Sequence, residues 1–300
     1  MSLVQSAVLS TVQSAVARVD GVLKQPLAQR YGGAQAAYSM RDIGVNGGAV
    51  VSVRRTSDNT LQDFTATEIT DGTLATWVGS GNNGFVSTWY DQSGNNYHAT
   101  QSTTGRQPKI VDSTNGVVDI LDYYRGGGRA FMDISKFLGN GSACTCFAVI
   151  SNLDNTVEKF YVSNRGGGGG GWNFKNENFD PGKLTLTFIG YGNRTSDDVV
   201  VPNKSSTKQL IGFTRVGGDG ELYEGGDLLA ADSDTLNYDT SIDNIPNNKP
   251  EISSIAKQGN SVASHGNELN IGEVIIWDSD VSNRRAEIES DIASYWGITI

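Results

Sequence analysis

Two glycine-rich segments, at 125–129 and 165–172, carry aromatic and arginine residues at their edges. Flat rings complement the apolar faces of sugars, and arginines donate hydrogen bonds to polar groups. The pattern predicts a glycan-binding edge formed by Tyr123, Tyr124, Arg125, Arg129, Arg165 and Trp172. The alternative is that both segments are plain surface connections and that the rings belong to the core, with Trp172 half-buried.

The sequence contains no recognisable motif for zinc binding or for nucleophilic catalysis. His98 and His265 have no second histidine or cysteine at ligand spacing, which argues against a zinc site. Asp91 and Asn95 place oxygen atoms within one turn, where calcium binding and ordinary hydrogen bonding within the turn are alternative roles. We therefore expect no cofactor, and we keep Asp91 and Asn95 as the metal candidates.

The composition is that of an acidic chain with many turns. Its 300 residues include 37 glycines and 6 prolines, and the net charge is −10. An acidic chain does not provide the clustered lysines and arginines that nucleic acids require, and no apolar run is long enough to span a membrane. The N-terminus lacks the basic and apolar regions of a secretory signal, so we expect folding in a cytoplasm.

Short strands are the elements that must position the candidate residues. From residue 36 onward, apolar segments alternate with clusters of Gly, Asn and Asp, which predicts an all-β sandwich or jelly roll. The predicted strands include 48–55, 85–90, 144–150, 184–189, 209–214 and 269–277. Cys144 and Cys146 share one face of their strand and are expected to be buried free thiols. A short C-terminal helix is predicted from Ser282 to Gly297.

The first 28 residues follow a different pattern, with apolar residues at spacings of three and four and polar residues between them. This pattern predicts an amphipathic helix. Its apolar seam consists of Val4, Val8, Val12, Ala15, Val19 and Val22. We interpret 1–28 as a helical arm and 29–300 as one sandwich domain. The arm either packs on its own domain, or oligomerises the chain or anchors it to a partner.

The segment 89–101, WYDQSGNNYHATQ, joins a strand end to a tight corner rich in Asp, Ser, Gly and Asn. Trp89 and Tyr90 are predicted to enter the core. Together with AAYSMR at 36–41, VSVRRTSDN at 51–59, ELYEGGDLL at 221–229 and the closing strand and helix at 271–298, this segment resembles the concanavalin-like, laminin-G-type jelly roll. The resemblance is strongest to the catalytic-domain family of arabinofuranosidase B, covers 36–300 and implies a concanavalin-like β-sandwich.

The same resemblance implies two catalytic acids. Glu158 matches a Glu-x-x-Tyr segment that carries the family's nucleophile, whereas Gly259 stands where its acid/base aspartate is expected. Retaining hydrolysis needs both carboxylates, so we expect no normal turnover and keep Glu158 as the single catalytic candidate. The alternative is a glycoside hydrolase of arabinofuranosidase type.

Without the second acid, the chain is similar to modules of bacteriophage virion proteins. This similarity implies a location on the virion, as a capsid decoration or a tail or fibre appendage. The arm would contact other capsid or tail proteins, and the sandwich would contact a glycan or the host surface. A particle-stabilising protein without any ligand is the further alternative.

Overall fold

The computed structural model describes residues 25–44, 47–125, 128–136, 138–139, 143–151, 159–164, 171–176, 183–190, 193–200, 208–216, 219–232, 253–257 and 269–300. Most of these residues lie in short antiparallel strands. The strands are β1 Ala36–Ser39, β2 Ala49–Arg55, β3 Leu61–Thr65, β4 Gly84–Trp89, β5 Ala99–Thr100, β6 Lys109–Asp112, β7 Gly116–Asp122, β8 Tyr124–Arg125, β9 Gly128–Arg129, β10 Met132–Ile134, β11 Ala143–Ser151, β12 Lys159–Ser163, β13 Gly171–Asn176, β14 Lys183–Gly190, β15 Asn193–Val200, β16 Gln209–Val216, β17 Asp219–Glu224, β18 Asp227–Asp232, β19 Ser253–Ile255 and β20 Asn270–Trp277.

Helices are few and short. The α-helices are α1 Ala66–Thr70, α2 Thr73–Val78 and α3 Arg285–Trp296, and 3-10 helices span Leu27–Gly32, Thr104–Arg106 and Ser282–Arg284. The sequence analysis did not predict α1 and α2. Their local signal is a capping box, in which the Glu68 carboxylate accepts from the Thr65 backbone N–H at 2.8 Å and the Thr65 hydroxyl accepts from the Glu68 N–H at 3.3 Å.

Two antiparallel sheets are stacked face to face. The first sheet runs β18-β17-β16-β11-β20-β1. The second runs β15-β14-β13-β12-β19-β10-β5-β4-β2-β3. Strands β6 and β7 connect the two, because β6 pairs with β4 and β7 pairs with β20.

The core lies between the sheets and is rich in aromatic rings. The Phe213 ring of the first sheet meets Trp172 and Phe174 of the second edge to face, with centroids 5.0 Å and 5.3 Å apart. Cys144 and Cys146 are free and fully buried, as expected. The all-β sandwich and its closing helix are confirmed; residues 1–24 of the predicted arm lie outside the described residues.

Helix α3 covers the outer face of the first sheet. Its anchor is Glu273 on β20, which is 1% exposed and accepts hydrogen bonds from the Ser39 hydroxyl at 2.8 Å, the Arg41 Nε at 2.8 Å and the Trp296 Nε1 at 3.0 Å. Because this helix covers one outer face, the outer face of the second sheet is the broad surface left for a ligand. No helix among the described residues is long and apolar enough to cross a membrane.

Candidate functional site

A row of polar residues crosses the outer face of the second sheet. Antiparallel partners in register lie on the same face of a sheet, so the strand pairings define the row directly. We call it the polar strip; from β3 to β13 it comprises Asp63, Ser52, Thr88, Thr100, Asp133, Ser254, Ser163 and Asn173. Residues next to them along the strands, such as Trp89, Ile134 and Phe174, point into the core.

The strip is open at one end and covered at the other. Asp63 and Thr100 are exposed, and Thr88 and Asp133 are partly exposed. Ser254, Ser163 and Asn173 are buried. The accessible part of the strip therefore extends from β3 to β10, except at β2, where Ser52 is 8% exposed.

Two rings lie on this accessible part. The Tyr90 and His98 rings pack edge to face with centroids 5.0 Å apart, and both side chains are half-buried. The Tyr90 hydroxyl donates to the Asp63 carboxylate at 3.1 Å. Burial, followed by this hydrogen bond to Asp63, raises the pKa of Tyr90, so the hydroxyl is protonated at neutral pH.

His98 is held with one nitrogen turned toward the backbone. Its Nδ1 accepts the Asp91 backbone N–H at 3.1 Å. A neutral ring in this arrangement carries its proton on Nε2, which leaves a donor for another group. The Thr100 hydroxyl, two residues further along, is exposed.

An ion pair stands on the far side of Thr100. The Lys257 Nζ lies 2.5 Å from the Asp133 carboxylate and 4.2 Å from the centre of the Phe131 ring. Lys257 is 5% exposed, and its pairing fixes the orientation of the partly exposed Asp133 carboxylate. The Phe131 ring, the Asp133 carboxylate and the Lys257 ammonium group thus form one rigid cluster at this part of the strip.

The two acids of the strip do not form a hydrolytic pair. Asp63 on β3 and Asp133 on β10 are four strand spacings apart, or about 19 Å along the sheet. Glycosidases hold their two carboxyl groups roughly 5–9.5 Å apart. The strip offers hydrogen-bonding groups and rings, but its own acids are too far apart for general acid–base hydrolysis of one bond.

The corner at 89–101 is held by its own hydrogen bonds. Asp91 Oδ1 accepts from the Ala37 and Ser93 backbone N–H groups, both at 2.9 Å. Its Oδ2 accepts from the Ser93 hydroxyl at 2.8 Å and from the Tyr97 N–H at 3.0 Å. The Asn95 amide donates to the Gln35 carbonyl at 3.0 Å. These contacts assign the metal candidates Asp91 and Asn95 a role in holding the turn.

Two predicted sugar-stacking residues lie in the core. Tyr123 is 3% exposed and Trp172 is 1% exposed, and the Trp172 Nε1 donates to the Gly139 carbonyl at 3.1 Å. Neither ring reaches solvent in this structure: strand alternation turns Trp172 into the sandwich, and Tyr123 is buried in the connection between β7 and β8. Tyr90, which was expected in the core with Trp89, instead lies on the outer face, while Trp89 is fully buried.

The other candidates are described in part or not at all. Tyr124 and Arg129 pair across the small β8–β9 ribbon, as do Arg125 and Gly128, but the side chains of Tyr124, Arg125 and Arg129 are not described. Arg165, the catalytic candidate Glu158 and the seam of the arm lie outside the described residues. Within the described part of the chain, no group of three or more His, Cys, Asp or Glu residues is placed to hold a metal.

Sequence reasoning missed most of the strip for a physical reason. Thr88 and Tyr90 show the alternation of one strand face, but the row exists only because β5 joins β4 to β10. Strand order is a property of the tertiary fold. The one local signal is the alternation Thr88-Trp89-Tyr90, which places Trp89 and Tyr90 on opposite faces.

Comparisons with known proteins identify the fold. No protein-family model matches the sequence, and no curated protein matches it. A GH54 α-L-arabinofuranosidase soaked with a cyclic sulfate inhibitor superposes with a TM-score of 0.63 at 11% sequence identity. A mutant of a GH54 α-L-arabinofuranosidase soaked with 4-nitrophenyl α-L-arabinofuranoside gives 0.61 at 12%, and an arabinofuranosidase complexed with arabinofuranosyl-α-1,2-xylobiose gives 0.59 at 13%.

These likenesses show a shared fold. Each match covers 88% of this chain and 63% of the enzyme chain, so this chain spans less than two thirds of those enzymes. The jelly-roll sandwich implied by the resemblance to the arabinofuranosidase B family is thereby confirmed. At 11–13% identity, the activity of these enzymes does not transfer with the fold.

Proposed function

We propose that this chain is a non-catalytic carbohydrate-binding β-sandwich whose ligand lies along the accessible part of the polar strip. The observation that carries the proposal is the in-register line of hydroxyl and carboxylate groups beside the half-buried Tyr90 and His98 rings. Sugars present hydroxyl groups around apolar ring faces, and this surface offers partners for both. The fold shared with arabinofuranosidases supports a role with sugars.

Each group has a definite part in the proposed binding. The Tyr90 ring stacks on a sugar face, and the Asp63 carboxylate, which already accepts from Tyr90, accepts from sugar hydroxyls with its remaining lone pairs. Thr100 and the Nε2 proton of His98 supply neutral donors in the middle. Asp63 and Thr100 lie on strands, and Tyr90 and His98 lie in the hydrogen-bonded corner between β4 and β5, so the surface is preorganised and loses little entropy on binding.

A glycan array followed by calorimetry on the bound glycan tests this proposal. Tyr90→Ala should weaken binding at least about tenfold, which corresponds to roughly 1.4 kcal/mol of stacking and contact energy. Tyr90→Phe should keep most of the affinity, because it retains the ring and removes only the hydrogen bond to Asp63.

Tyr295→Ala is the matched control. Tyr295 is a 49% exposed tyrosine on α3, which covers the opposite face of the molecule, so its removal should leave binding unchanged. Wild-type affinity in Tyr90→Ala, with both variants folded, would contradict the assignment of the site. A chain that binds no glycan at millimolar concentration would support the reading as a structural protein without a ligand.

The hydrolase alternative has its own test. Turnover of an aryl arabinofuranoside that disappears in Glu158→Gln would favour an arabinofuranosidase over a binding module. Absence of turnover together with glycan binding would support the binding module.

We further propose that the sandwich is displayed on a virus particle, as a capsid decoration or a tail or fibre appendage, with the N-terminal residues contacting other virion proteins. The support for this location is the resemblance to bacteriophage modules and the helical pattern of residues 1–28. Electron microscopy of particles labelled with an antibody to the sandwich would test it. Labelled particles would support the proposal, and unlabelled particles beside soluble chain would contradict it.

A further inference from the structure

Arg106 is a cation without an acidic partner at the edge of the polar strip. It ends the 3-10 helix Thr104–Arg106, which follows β5, and its carbonyl accepts the Phe131 backbone N–H at 3.2 Å. Its guanidinium lies over the Phe131 ring, with Cζ 5.4 Å from the centroid, and is partly exposed. Among the described residues, no carboxylate pairs with it and no side chain accepts its N–H groups.

A second arginine, Arg54, is hydrogen-bonded to uncharged amide groups, and no carboxylate among the described residues pairs with it. Arg54 on β2 donates to the Gln107 Oε1 and to the Asn59 Oδ1, both at 2.8 Å, and its Cζ lies 5.2 Å from the Phe85 ring centre. Arg54 is 8% exposed, and burial lowers its pKa because no carboxylate compensates the charge. Gln107 follows Arg106 in the chain, so the hydrogen bond from Arg54 links β2 to the connection that carries Arg106.

The charge at this end of the strip is opposite to that of the molecule. Arg106 and Lys257 both contact the Phe131 ring, and Arg54 hydrogen-bonds to Gln107, the chain neighbour of Arg106. Asp133 is the one carboxylate in direct contact with any of these three cations among the described residues. The whole chain carries a net charge of −10. A local excess of positive charge attracts an anionic ligand. The rest of an acidic molecule repels the same ligand, so the ligand is directed to the positive region.

We propose that this end of the strip, with Arg106 as the contacting residue, binds the carboxylate of an acidic glycan such as a polysaccharide containing uronic acids. This inference rests on the proposed function and names the ligand class for the same surface. The guanidinium is planar and presents paired N–H donors that match a carboxylate in a bidentate arrangement. Stacking on Phe131 holds the guanidinium plane, and Arg54 adds positive potential behind it.

A glycan array that presents carboxylated, sulfated and neutral oligosaccharides is the first measurement. The expected result is preferential binding of carboxylated glycans. Calorimetry then compares oligogalacturonides with the same oligomers in fully methyl-esterified form. The carboxylated glycan that binds best on the array is compared with its own methyl ester in the same way. The free acid should bind at least about tenfold tighter than the ester, and the difference should shrink as salt is raised, because exposed charges are screened.

Arg106→Gln should remove the preference for the acid while leaving the affinity for the neutral form. Its side chain is partly exposed and bonded only through the ring contact, so the variant should fold, which thermal unfolding verifies. Arg284→Gln is the control, because Arg284 is an exposed arginine next to α3 whose Cζ also lies over an aromatic ring, 6.0 Å from the centre of Tyr31, and which pairs with Glu287. It should retain the preference.

The outcomes separate the two proposals. Equal affinity of the wild type for the free acid and the methyl ester, or a preference for the acid that persists in Arg106→Gln, would overturn this inference and leave the binding surface standing. Binding of sulfated glycans alone would overturn the assignment to carboxylates. No binding to any glycan would overturn both the inference and the proposed function.

Discussion

At the scale of single residues, Asp91 shows how a short motif encodes a shape. Its carboxylate accepts four hydrogen bonds, from Ala37, Tyr97 and twice from Ser93, and it is 7% exposed. The corner therefore joins β1 to the end of β4 through one side chain. Because that turn also carries His98, the geometry of the candidate site depends on a residue that does not contact the ligand.

Replacing Asp91 by alanine should lower the free energy of unfolding by about 3 kcal/mol, because several buried donors lose their acceptor. Urea denaturation monitored by tryptophan fluorescence measures the change. Asp42→Ala is the control: this exposed carboxylate accepts one backbone N–H, from Gly44 at 3.1 Å, and its loss should cost about 0.5 kcal/mol. Equal effects of the two substitutions would contradict the role of Asp91.

The two thiols allow a second test at this scale. Burial raises the pKa of the Cys144 thiol to about 12 and that of Cys146 well above its ordinary value. Since the thiolate is the reactive form, neither cysteine should react with an aromatic disulfide reagent at about pH 8 in the native protein. Both should react at once after unfolding in guanidinium. Rapid labelling of the native chain would show that the β11 strand is open to solvent.

At the scale of elements, the closing helix is joined to the sheet by close contact as well as by hydrogen bonds. Gly272 on β20 lies directly under Trp296 of α3, and a Cβ atom at position 272 would stand 2.7 Å from the indole ring. A glycine is needed there because the helix approaches the strand backbone. The sequence analysis predicted both the strand and the helix, but not this requirement between them.

Gly272→Ala should lower the free energy of unfolding by about 2 kcal/mol, because Trp296 must move from a well-packed position. Thermal unfolding and the near-ultraviolet tryptophan signal measure the loss and the displacement. Gly48→Ala is the control, since a Cβ at position 48 meets nothing within 4 Å and its backbone is not in the left-handed region. If both variants unfold like the wild type, the helix is not packed as described.

At the scale of the whole molecule, the sandwich includes residues that the predicted arm contains. Leu27 and Ala28, which the predicted arm includes, are 3% and 0% exposed, and the Ala28 N–H donates to the Ile43 carbonyl at 3.0 Å. A truncation that is meant to test the arm must therefore stop before these residues. Removal of 1–24 leaves every described contact in place.

The chain without residues 1–24 should fold with the thermal midpoint of the full chain and bind the same glycans, but should no longer assemble. Sedimentation velocity and incorporation into particles measure assembly, and calorimetry measures glycan binding. Assembly that persists in the truncated chain would contradict the anchoring role of the N-terminal residues. Loss of folding would show instead that these residues pack on the sandwich.

The sequence by itself determined the strands, the tight corner at 89–101 and the closing helix. These features depend on the alternation of apolar and polar residues, on Asp and Gly in turns and on helix capping. All of these signals lie in residues that are close together in the sequence. In segments such as Thr88-Trp89-Tyr90, the side chains also alternate between the two faces of the sheet. Tyr90 was assigned to the core together with Trp89 although alternation places the two rings on opposite faces. Local pattern does not state which face meets the core, which is why Tyr123 was expected on the surface.

Only the tertiary structure decided where the candidate site lies. The polar strip gathers residues from 52 to 254, and its order follows from hydrogen bonding between strands that are distant in the chain. Arg106 and Lys257 meet on one ring, Phe131, for the same reason. Pairing between distant strands is set by the packing of the whole core, so no window of sequence contains the information that brings these side chains together.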